Sequence, residues 1–419
     1  MPSSFDTTAF AQATIALCAL SASLLQTSRL LRDSQPRIVT VEASDAAAEF
    51  RVERLALIGG RLGSVWDKLA GQYRAKDGWL RPHVNWKHHR IGLLDMLGLP
   101  ENTSKDQLAQ RDATDHGKAS ATLPPISIER IHERPTKSFP TFRNTRRPLD
   151  GIRILDLTRV IAGPTAGRTL AGYGADVLWV TAPHLPCLPD LDFETSRGKR
   201  TIQLDLRSSN PNDRRTFEGL VKSADVILQS YRPGGLDGLG YGPNEIWNLN
   251  PDCIYASLTA WGRQGPLKDK KGFDSLVQFA TGINQAEGES WQQAKGGTFE
   301  PKPLPCQALD HGAGYMLAFG IQAALIRRAS EGGSYIVRTS LLSMSNLLRS
   351  LGRVREAPFD TTLETLSDLR NRGQTLTYQN GFDGKTVETV RHAARINGLD
   401  LDPEWAAQSY ADSKPEWLE

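Results

Sequence analysis

The apolar positions between residues 152 and 259 recur in short runs that alternate with stretches of helical periodicity. Helices are expected at 165–173 and 214–223, where apolar residues recur at helical spacing. Strands are predicted at 152–157, 176–180, 201–206, 226–229 and 254–259. This alternation predicts an α/β fold with a doubly wound, mostly parallel, Rossmann-like sheet. Ligands of such sheets bind beyond the carboxyl ends of the strands, so the loops after the strands are expected to form the site.

The N-terminal stretch 9–26 contains no charged residue and predicts a long helix. Its polar members include Gln12 and Thr14, and Asp6 precedes it instead of a basic cluster, so a buried helix is favoured over a signal or membrane anchor. The apolar run 13–31 and the strand-like residues 38–41 that follow it resemble the later run 312–328 and its following strand-like residues 335–339. The two copies represent either an internal repeat or a chance likeness of two Ala/Leu-rich helices.

Residues 101–147 lack sustained hydrophobic periodicity and contain several prolines, which predicts a linker. We therefore divide the chain into four parts. They are an N-terminal region (1–100), the linker (101–147), the Rossmann-like domain (148–345) and a C-terminal segment (346–419) that returns to the large or small domain.

Composition narrows the function classes. The 419 residues are 39% hydrophobic and 23% charged, as in a globular protein with a sizeable core. The net charge of +3 gives no indication of nucleic-acid binding, so any anion site must be local. The cysteines at 18, 187, 253 and 306 have no metal-type spacing and form no close pair. This predicts no metal site and an intracellular, cytoplasmic setting.

Three loops of the predicted sheet carry candidate binding residues. The turn 158–164 leads into a helix N-terminus that favours anions, although Gly163 has close helix packing as an equal explanation. The basic run 197–200 offers cations for phosphates, and the alternative is a solvated loop. Tyr231 and Arg232 offer an aromatic face and a cation to an adenine nucleotide, unless they form an ordinary turn.

Asp310 is the candidate nucleophile. It lies just before a long apolar helix, where an aspartate is often a helix cap. The neighbouring Gly312 and Gly314 favour space for a bulky ligand instead, and a helix N-terminus is expected to keep the carboxylate ionised. His311 is interpreted as a packing or hydrogen-bonding neighbour.

Taken together, these motifs resemble the class III (CaiB/BaiF) CoA-transferases, the group that includes carnitine and formyl-CoA transferases and alpha-methylacyl-CoA racemase. The resemblance extends over about 200 residues. It is carried by the motifs Arg147-Pro148-Leu149-Asp150-Gly151, Leu155-Asp156-Leu157-Thr158-Arg159, Ala162-Gly163-Pro164, Gly174-Ala175-Asp176-Val177, Arg197-Gly198-Lys199-Arg200, Leu204-Asp205-Leu206, Ala224-Asp225-Val226, Arg232-Pro233-Gly234, Gly272-Phe273-Asp274 and Leu309-Asp310.

The resemblance implies an acyl-CoA:carboxylate CoA-transferase in which Asp310 forms an acyl anhydride and then an aspartyl-CoA thioester. It implies a coenzyme A thioester as substrate, a carboxylic acid as its partner, no tightly bound cofactor and a homodimer. By the same resemblance, the positions at or near the CoA site are Val160, Ala162, Arg200, Tyr231 and Lys271.

Two alternatives remain open. An alpha-methylacyl-CoA racemase or epimerase needs a histidine where this chain has Phe273, which cannot move a proton. A catalytically impaired member that binds CoA esters is the other alternative. It is suggested by Ile161 in place of a glutamine, by Ala182 and Gly238 in place of arginines, and by the absence of the glycine-rich loop after Asp310.

The N-terminal region offers a replacement for the missing small domain. Residues 77–80, His88, His89 and 93–98 resemble the start of that domain in the family. We therefore expect the fold to include a smaller α+β domain, contributed at least partly by a displaced or degenerate copy within residues 1–100.

Overall fold

The computed structural model describes residues 1–30, 35–75, 78–102, 124–139, 147–403 and 405–418. The helices are α1 (Thr7–Arg29), α2 (Ala43–Glu49), α3 (Lys87–Leu97), α4 (Ala162–Gly172), α5 (Pro189–Thr195), α6 (Pro211–Val221), α7 (Pro243–Leu249), α8 (Asp274–Ala280), α9 (Ile283–Lys295), α10 (Ala308–Glu331), α11 (Leu341–Ser350) and α12 (Leu366–Asn371). The strands are β1 (Val39–Val41), β2 (Leu57–Ile58), β3 (Arg61–Leu62), β4 (Tyr73–Arg74), β5 (Trp79–Leu80), β6 (Ser127–His132), β7 (Arg153–Leu157), β8 (Asp176–Thr181), β9 (Arg200–Gln203), β10 (Val226–Gln229), β11 (Ile254–Thr259), β12 (Ser334–Ser340), β13 (Thr375–Gln379), β14 (Thr386–Val390) and β15 (Ala394–Ile396).

The central sheet has the strand order β6-β12-β11-β10-β7-β8-β9 among the described residues. The strands from β7 to β12 pair in parallel, and β6 joins the edge of β12 in the antiparallel sense. The connections reverse direction between β7 and β10, as in a Rossmann-type sheet, and this creates a crevice at the carboxyl ends of those two strands. The predicted mostly parallel sheet with flanking helices is confirmed, and β10 and β11 begin and end at the predicted residues.

Successive residues of each strand pack into two separate hydrophobic cores, because their side chains alternate between the two faces of the sheet. On β7, Ile154 belongs to the core shared with α4 and α10, and Leu155 belongs to the core shared with α6 and α7. Covering both faces with helices explains why these strands read as nearly continuous apolar runs.

Helix α10 packs closely against α4 on one side and against α1 on the other. A Cβ atom at Gly314 would lie 2.6 Å from the carbonyl oxygen of Ala162 and 2.7 Å from Cβ of Thr165. A Cβ atom at Gly312 would collide with the ring of Phe10. The prediction that these two glycines leave space for a ligand is therefore wrong, because neighbouring helices fill that space.

Helix α1 is long and apolar enough to cross a membrane by length and composition, and 56% of its most apolar window is buried within the fold. Phe10, Ile15 and Leu25 belong to the core that α10 shares. The core helix of a globular fold passes the same test of length and hydropathy, so this helix is weak evidence for a membrane span.

The two ends of the chain combine into a smaller antiparallel sheet with the order β13-β14-β2-β3, and β1 pairs with β15. Residues 7–97 are thus attached to the rest of the fold, and their interpretation as a displaced or degenerate copy stays a prediction. Most of the predicted linker 101–147 lies outside the described residues. Its described part contains β6, so it contributes an edge strand to the central sheet.

Candidate functional site

A cavity of about 340 Å³ opens at the crevice between β7 and β10. Its walls are the turn after β7, the turn after β10, the segment 268–273 that leads into α8, and the start of α10. Five of the residues predicted from the sequence line it, namely Val160, Ala162, Tyr231, Lys271 and Asp310. The sheet topology therefore brings together residues that are far apart in the chain.

Arg200 does not line this cavity. It begins β9, and so lies at the amino-terminal edge of the sheet, away from the carboxyl ends that form the site. Its guanidinium donates hydrogen bonds of 2.8–3.0 Å to the carboxylate of Asp176 and one of 2.8 Å to the carbonyl oxygen of Glu416. The structure thus corrects the placement of Arg200 at the CoA site, since a buried ion pair occupies its guanidinium.

The whole basic run 197–200 is structural, neither a phosphate site nor a solvated loop. Arg197 pairs with Glu194 at 3.1 Å and donates a hydrogen bond to the carbonyl oxygen of Val390. The Lys199 ammonium lies 2.8 Å from Asp156 Oδ2, and both side chains are fully buried. Sequence position alone could not reveal the pairing of Lys199, because Asp156 lies on β7, more than 40 residues away in the chain.

The buried Lys199 pair supports the turn that forms one wall of the cavity. Oδ1 of Asp156 accepts hydrogen bonds from the backbone N–H of Thr158 at 2.9 Å and from its hydroxyl at 2.5 Å. Two residues later, Val160 has a φ of +76°, the one left-handed non-glycine conformation among the described residues. A β-branched residue in this region stores about 1–3 kcal/mol of strain, which persists where the surroundings enforce it and is concentrated at functional sites.

Gly163 follows at the start of α4. The sequence left open whether this glycine serves anion binding or close helix packing. A Cβ atom there would lie 2.5 Å from Cβ of Thr158 and 3.0 Å from the hydroxyl of Ser230. Close packing thus requires this glycine, and the same closeness brings the first turn of α4 to the cavity.

Asp310 lies at the base of the cavity and is 7% exposed. Among the described residues, none forms a hydrogen bond or an ion pair with its carboxylate. Burial, followed by the negative charges of Asp274 and Glu53, raises its pKa well above the ordinary value. The Asp310 carboxyl group therefore ionises only at a higher pH than the carboxyl group of an ordinary aspartate does.

The N–H groups at the start of α10 do not serve Asp310, contrary to expectation. Oδ2 of Asp274 accepts them, from Leu309 at 2.8 Å and from Asp310 at 3.0 Å. Asp274 therefore caps the helix from outside, and a side chain of Gln278 also donates to it. Burial raises the pKa of Asp274 to about 6 despite these hydrogen bonds.

His311 lies behind the site rather than in it. Its Nε2 is 3.1 Å from Oε2 of Glu53, and its ring packs on Phe50 with centroids 5.2 Å apart. The prediction of a packing and hydrogen-bonding neighbour is confirmed. The contact with His311 holds Glu53, whose negative charge is one of the causes that raise the pKa of Asp310.

The cavity wall is strongly basic. Asp310 is the one carboxylate among the described lining residues, whereas five Arg or Lys residues line the cavity, namely Arg159, Arg232, Lys268, Lys270 and Lys271. Within the described parts of the chain, none of these five cations forms an ion pair with a carboxylate. Such a wall can hold a multiply charged anion next to a buried carboxyl group.

The N-terminal region contributes Trp86, His88 and His89 to the cavity. The ring of Phe273, also in the wall, stacks on His83 with centroids 3.8 Å apart and an interplanar angle of 11°. Sequence reasoning singled out His88 and His89 only as part of a possible small domain. Their proximity to Asp310 depends on contacts across more than 200 residues of chain.

Comparison with known proteins relates this chain to one protein family. The family model described as CoA-transferase family III matches residues 149–351. A probable fatty acyl-CoA transferase of Mycobacterium tuberculosis is 33% identical over 219 residues, which cover 48% of this chain and 52% of that protein. A succinate–glutarate CoA-transferase of Agrobacterium fabrum is 33% identical over 221 residues, covering 48% and 53%.

Residues 149–351 therefore match CoA-transferase family III. A formyl-CoA:oxalate CoA-transferase of Rhodopseudomonas palustris is 33% identical over 229 residues, or 51% of each chain. A solved CAIB/BAIF family protein from Brucella suis is 30% identical and covers 49% of this chain and 56% of its own, with a TM-score of 0.43. The chain thus spans about half the length of the curated family III relatives it matches.

The family III segment contains Asp310, the strained turn at Val160 and the five cations of the cavity wall. Trp86, His88 and His89 lie outside it. The cavity is therefore composite, since a region beyond the family match supplies part of its wall.

Proposed function

We propose that this protein is an acyl-CoA:carboxylate CoA-transferase with Asp310 as its nucleophile. The observation that carries the proposal is the position of the Asp310 carboxyl group at the base of a cavity lined by five cations. An acyl-CoA places several phosphate charges far from its thioester, so its binding site must combine distant cations with a buried reactive group. The match of residues 149–351 to family III and the names of the relatives support the same assignment.

In the proposed reaction, an oxygen of the Asp310 carboxylate attacks the thioester carbonyl carbon. The carbon–sulfur bond breaks, which forms a mixed anhydride between Asp310 and the donor acid and releases CoA as a thiolate. The thiolate then attacks the Asp310 carbonyl carbon, which releases the donor acid as a carboxylate and leaves an aspartyl-CoA thioester. The acceptor carboxylate repeats these two steps in reverse, so Asp310 is regenerated and each half-reaction conserves atoms and charge.

The strained turn supports this chemistry through the backbone. Ala162 and Gly163 form the first turn of α4, whose N-terminal residue has no side-chain cap. The first N–H groups of a helix have no partner inside the helix. We propose that they stabilise the negative charge that develops on the thioester oxygen during attack.

The oxygen balance of the mechanism provides a direct test. When the acceptor acid carries ¹⁸O in its carboxylate, each turnover leaves one acceptor oxygen on Asp310. We expect mass spectrometry of the peptide containing Asp310 to show a gain of about 2 Da after one turnover and about 4 Da after many turnovers, since covalent catalysis routes the acceptor oxygens through the nucleophile. Asp310→Asn should abolish both label and transfer, whereas Asp360→Asn, at an exposed aspartate, should retain them. Full transfer activity in Asp310→Asn would refute the proposal.

The alternatives give different results in the same assay. A member that binds CoA esters without turning them over would bind CoA and incorporate no ¹⁸O. A racemase would exchange the α-proton of its substrate with deuterium from solvent, but Phe273 contributes only a stacked ring at the relevant position. We include a homodimer, no tightly bound cofactor and a cytoplasmic location in the proposal. The four cysteines are unpaired, which supports the location.

A further inference from the structure

The Arg159 guanidinium is an unexplained donor in the cavity wall. Arg159 directly precedes the strained Val160, and its guanidinium carbon lies 5.0 Å from the ring centroid of Trp86. Its Nη2 is shielded from solvent and has no hydrogen-bond partner among the described residues. Buried donors in native proteins nearly always have a partner, so an unpartnered one at a cavity indicates a ligand.

Trp86 is a fixed platform. It is 8% exposed and lies at the start of α3, just after two anchored residues of the same loop. Oδ1 of Asn85 accepts a hydrogen bond of 3.0 Å from the backbone N–H of Asp67. His83 stacks on Phe273, and its Nδ1 lies 3.3 Å from the hydroxyl of Ser275. These contacts attach the loop that carries Trp86 to the cavity wall.

Stacking on an aromatic ring fixes the plane of a guanidinium and leaves its edge N–H groups available for an anion. Tyr231 lines the same cavity, and the positive charge of Arg159 opposes the rise that burial causes in the pKa of the Tyr231 hydroxyl. The position near the end of β8, where the family resemblance implies a CoA-binding arginine, is occupied by Ala182. Arg159 can therefore supply the cation that position 182 lacks in this chain.

We propose that Trp86 positions Arg159 as an anion-binding group for the substrate, so that the N-terminal region takes part in recognition. This inference rests on the proposed function, because it assumes that the cavity takes an acyl-CoA. The anion is either a phosphate of CoA or the second carboxylate of a dicarboxylic acid. Trp86 acts through Arg159 and is a positioning residue.

Calorimetric binding of CoA, 3′-dephospho-CoA and pantetheine tests the proposal without turnover. Arg159→Met should weaken CoA binding about 10- to 100-fold, the value of a hydrogen bond to a charged group, and leave pantetheine binding unchanged. A loss confined to CoA identifies the 3′-phosphate, and an equal loss with 3′-dephospho-CoA identifies the diphosphate. Unchanged CoA binding with a raised KM for dicarboxylic but not monocarboxylic acceptors identifies a carboxylate.

Substitutions of Trp86 test the positioning role. Trp86→Leu should weaken binding of the same anion about 3- to 10-fold, and Trp86→Phe less, because phenylalanine retains a ring face. In the Arg159→Met background, Trp86→Leu should have no further effect. The matched control is Trp291→Leu, which removes an exposed tryptophan that contacts Lys302 at 5.5 Å outside the cavity.

Two results would overturn the inference. One is an Arg159→Met protein with unchanged CoA affinity and unchanged KM for both kinds of acid. The other is a Trp86 substitution that weakens pantetheine as much as CoA, which indicates general damage to the wall. If the Trp86→Leu protein does not fold, the Trp86→Phe protein still tests the positioning role by the same binding measurements. Failure of the proposed function is distinguishable, because CoA binding that depends on Arg159 but leads to no transfer contradicts only the transferase assignment.

Discussion

Lys199→Met is expected to be among the most damaging single substitutions in this chain, because it leaves the carboxylate of Asp156 buried without its cation. The two charged atoms lie 2.8 Å apart, and both side chains are fully buried. At that distance the attraction is ~6 kcal/mol for an effective dielectric constant of about 20. Because desolvation offsets much of it, the expected net loss in the free energy of unfolding is about 3–5 kcal/mol.

Urea unfolding followed by circular dichroism measures this loss. Lys295→Met is the control, since Lys295 pairs with an exposed aspartate and such pairs contribute about 0–1 kcal/mol. Adding Asp156→Asn to Lys199→Met should recover part of the loss, because an asparagine oxygen can still accept the N–H of Thr158. A cost below about 1 kcal/mol for Lys199→Met, or no recovery in the double variant, would show that the reasoning from an uncompensated buried charge is wrong.

Three further predictions concern the cavity and its helices. Since the raised pKa of Asp310 keeps its carboxyl group protonated beyond the ordinary range, kcat/KM should fall as the pH is lowered while ordinary aspartates are still ionised. Asp274→Asn removes one of the charges that cause this, so the pH profile of kcat/KM should move to lower pH, and an unmoved profile would exclude that cause. At position 160, thermal unfolding should show Val160→Gly to be more stable than Val160→Ala by about 1–2 kcal/mol, because only glycine adopts φ +76° freely; the reverse order would contradict the strain. Gly314→Ala should cost about 1–3 kcal/mol by forcing α10 from α4, whereas Gly219→Ala, with open space around it, should stabilise α6 by about 0.5–1 kcal/mol; equal effects in urea unfolding would count against close packing.

The sheet was predictable from the sequence because its strands are buried on both faces and its helices begin and end with strong local signals. The cavity followed from the same reasoning, since the rule for doubly wound sheets places ligands at the strand ends. Val160, Tyr231 and Asp310 meet there as expected.

The errors concern interactions whose partners lie far away in the chain. The basic run 197–200 was interpreted as a phosphate site or a solvated loop. In the structure, Lys199 and Arg200 instead form buried ion pairs with carboxylates on β7 and β8. Gly312 read as space for a ligand, but Phe10 of α1 fills it. No local pattern indicates which distant side chain completes such a contact, because burial and pairing are properties of the assembled fold.

The reactivity of Asp310 is determined largely from outside its own motif. Asp274 occupies the helix N–H groups that would otherwise stabilise the Asp310 carboxylate, and Glu53, held by His311, adds a second negative charge. Trp86, in the same N-terminal region as Glu53, contacts the opposite wall through Arg159. Glu53 and Trp86 therefore influence both the protonation of Asp310 and the basic wall of the cavity, although the family match does not include them. It follows that the identity of Asp310 alone does not determine the proposed activity, because the environment that controls its charge comes from two separate parts of the chain.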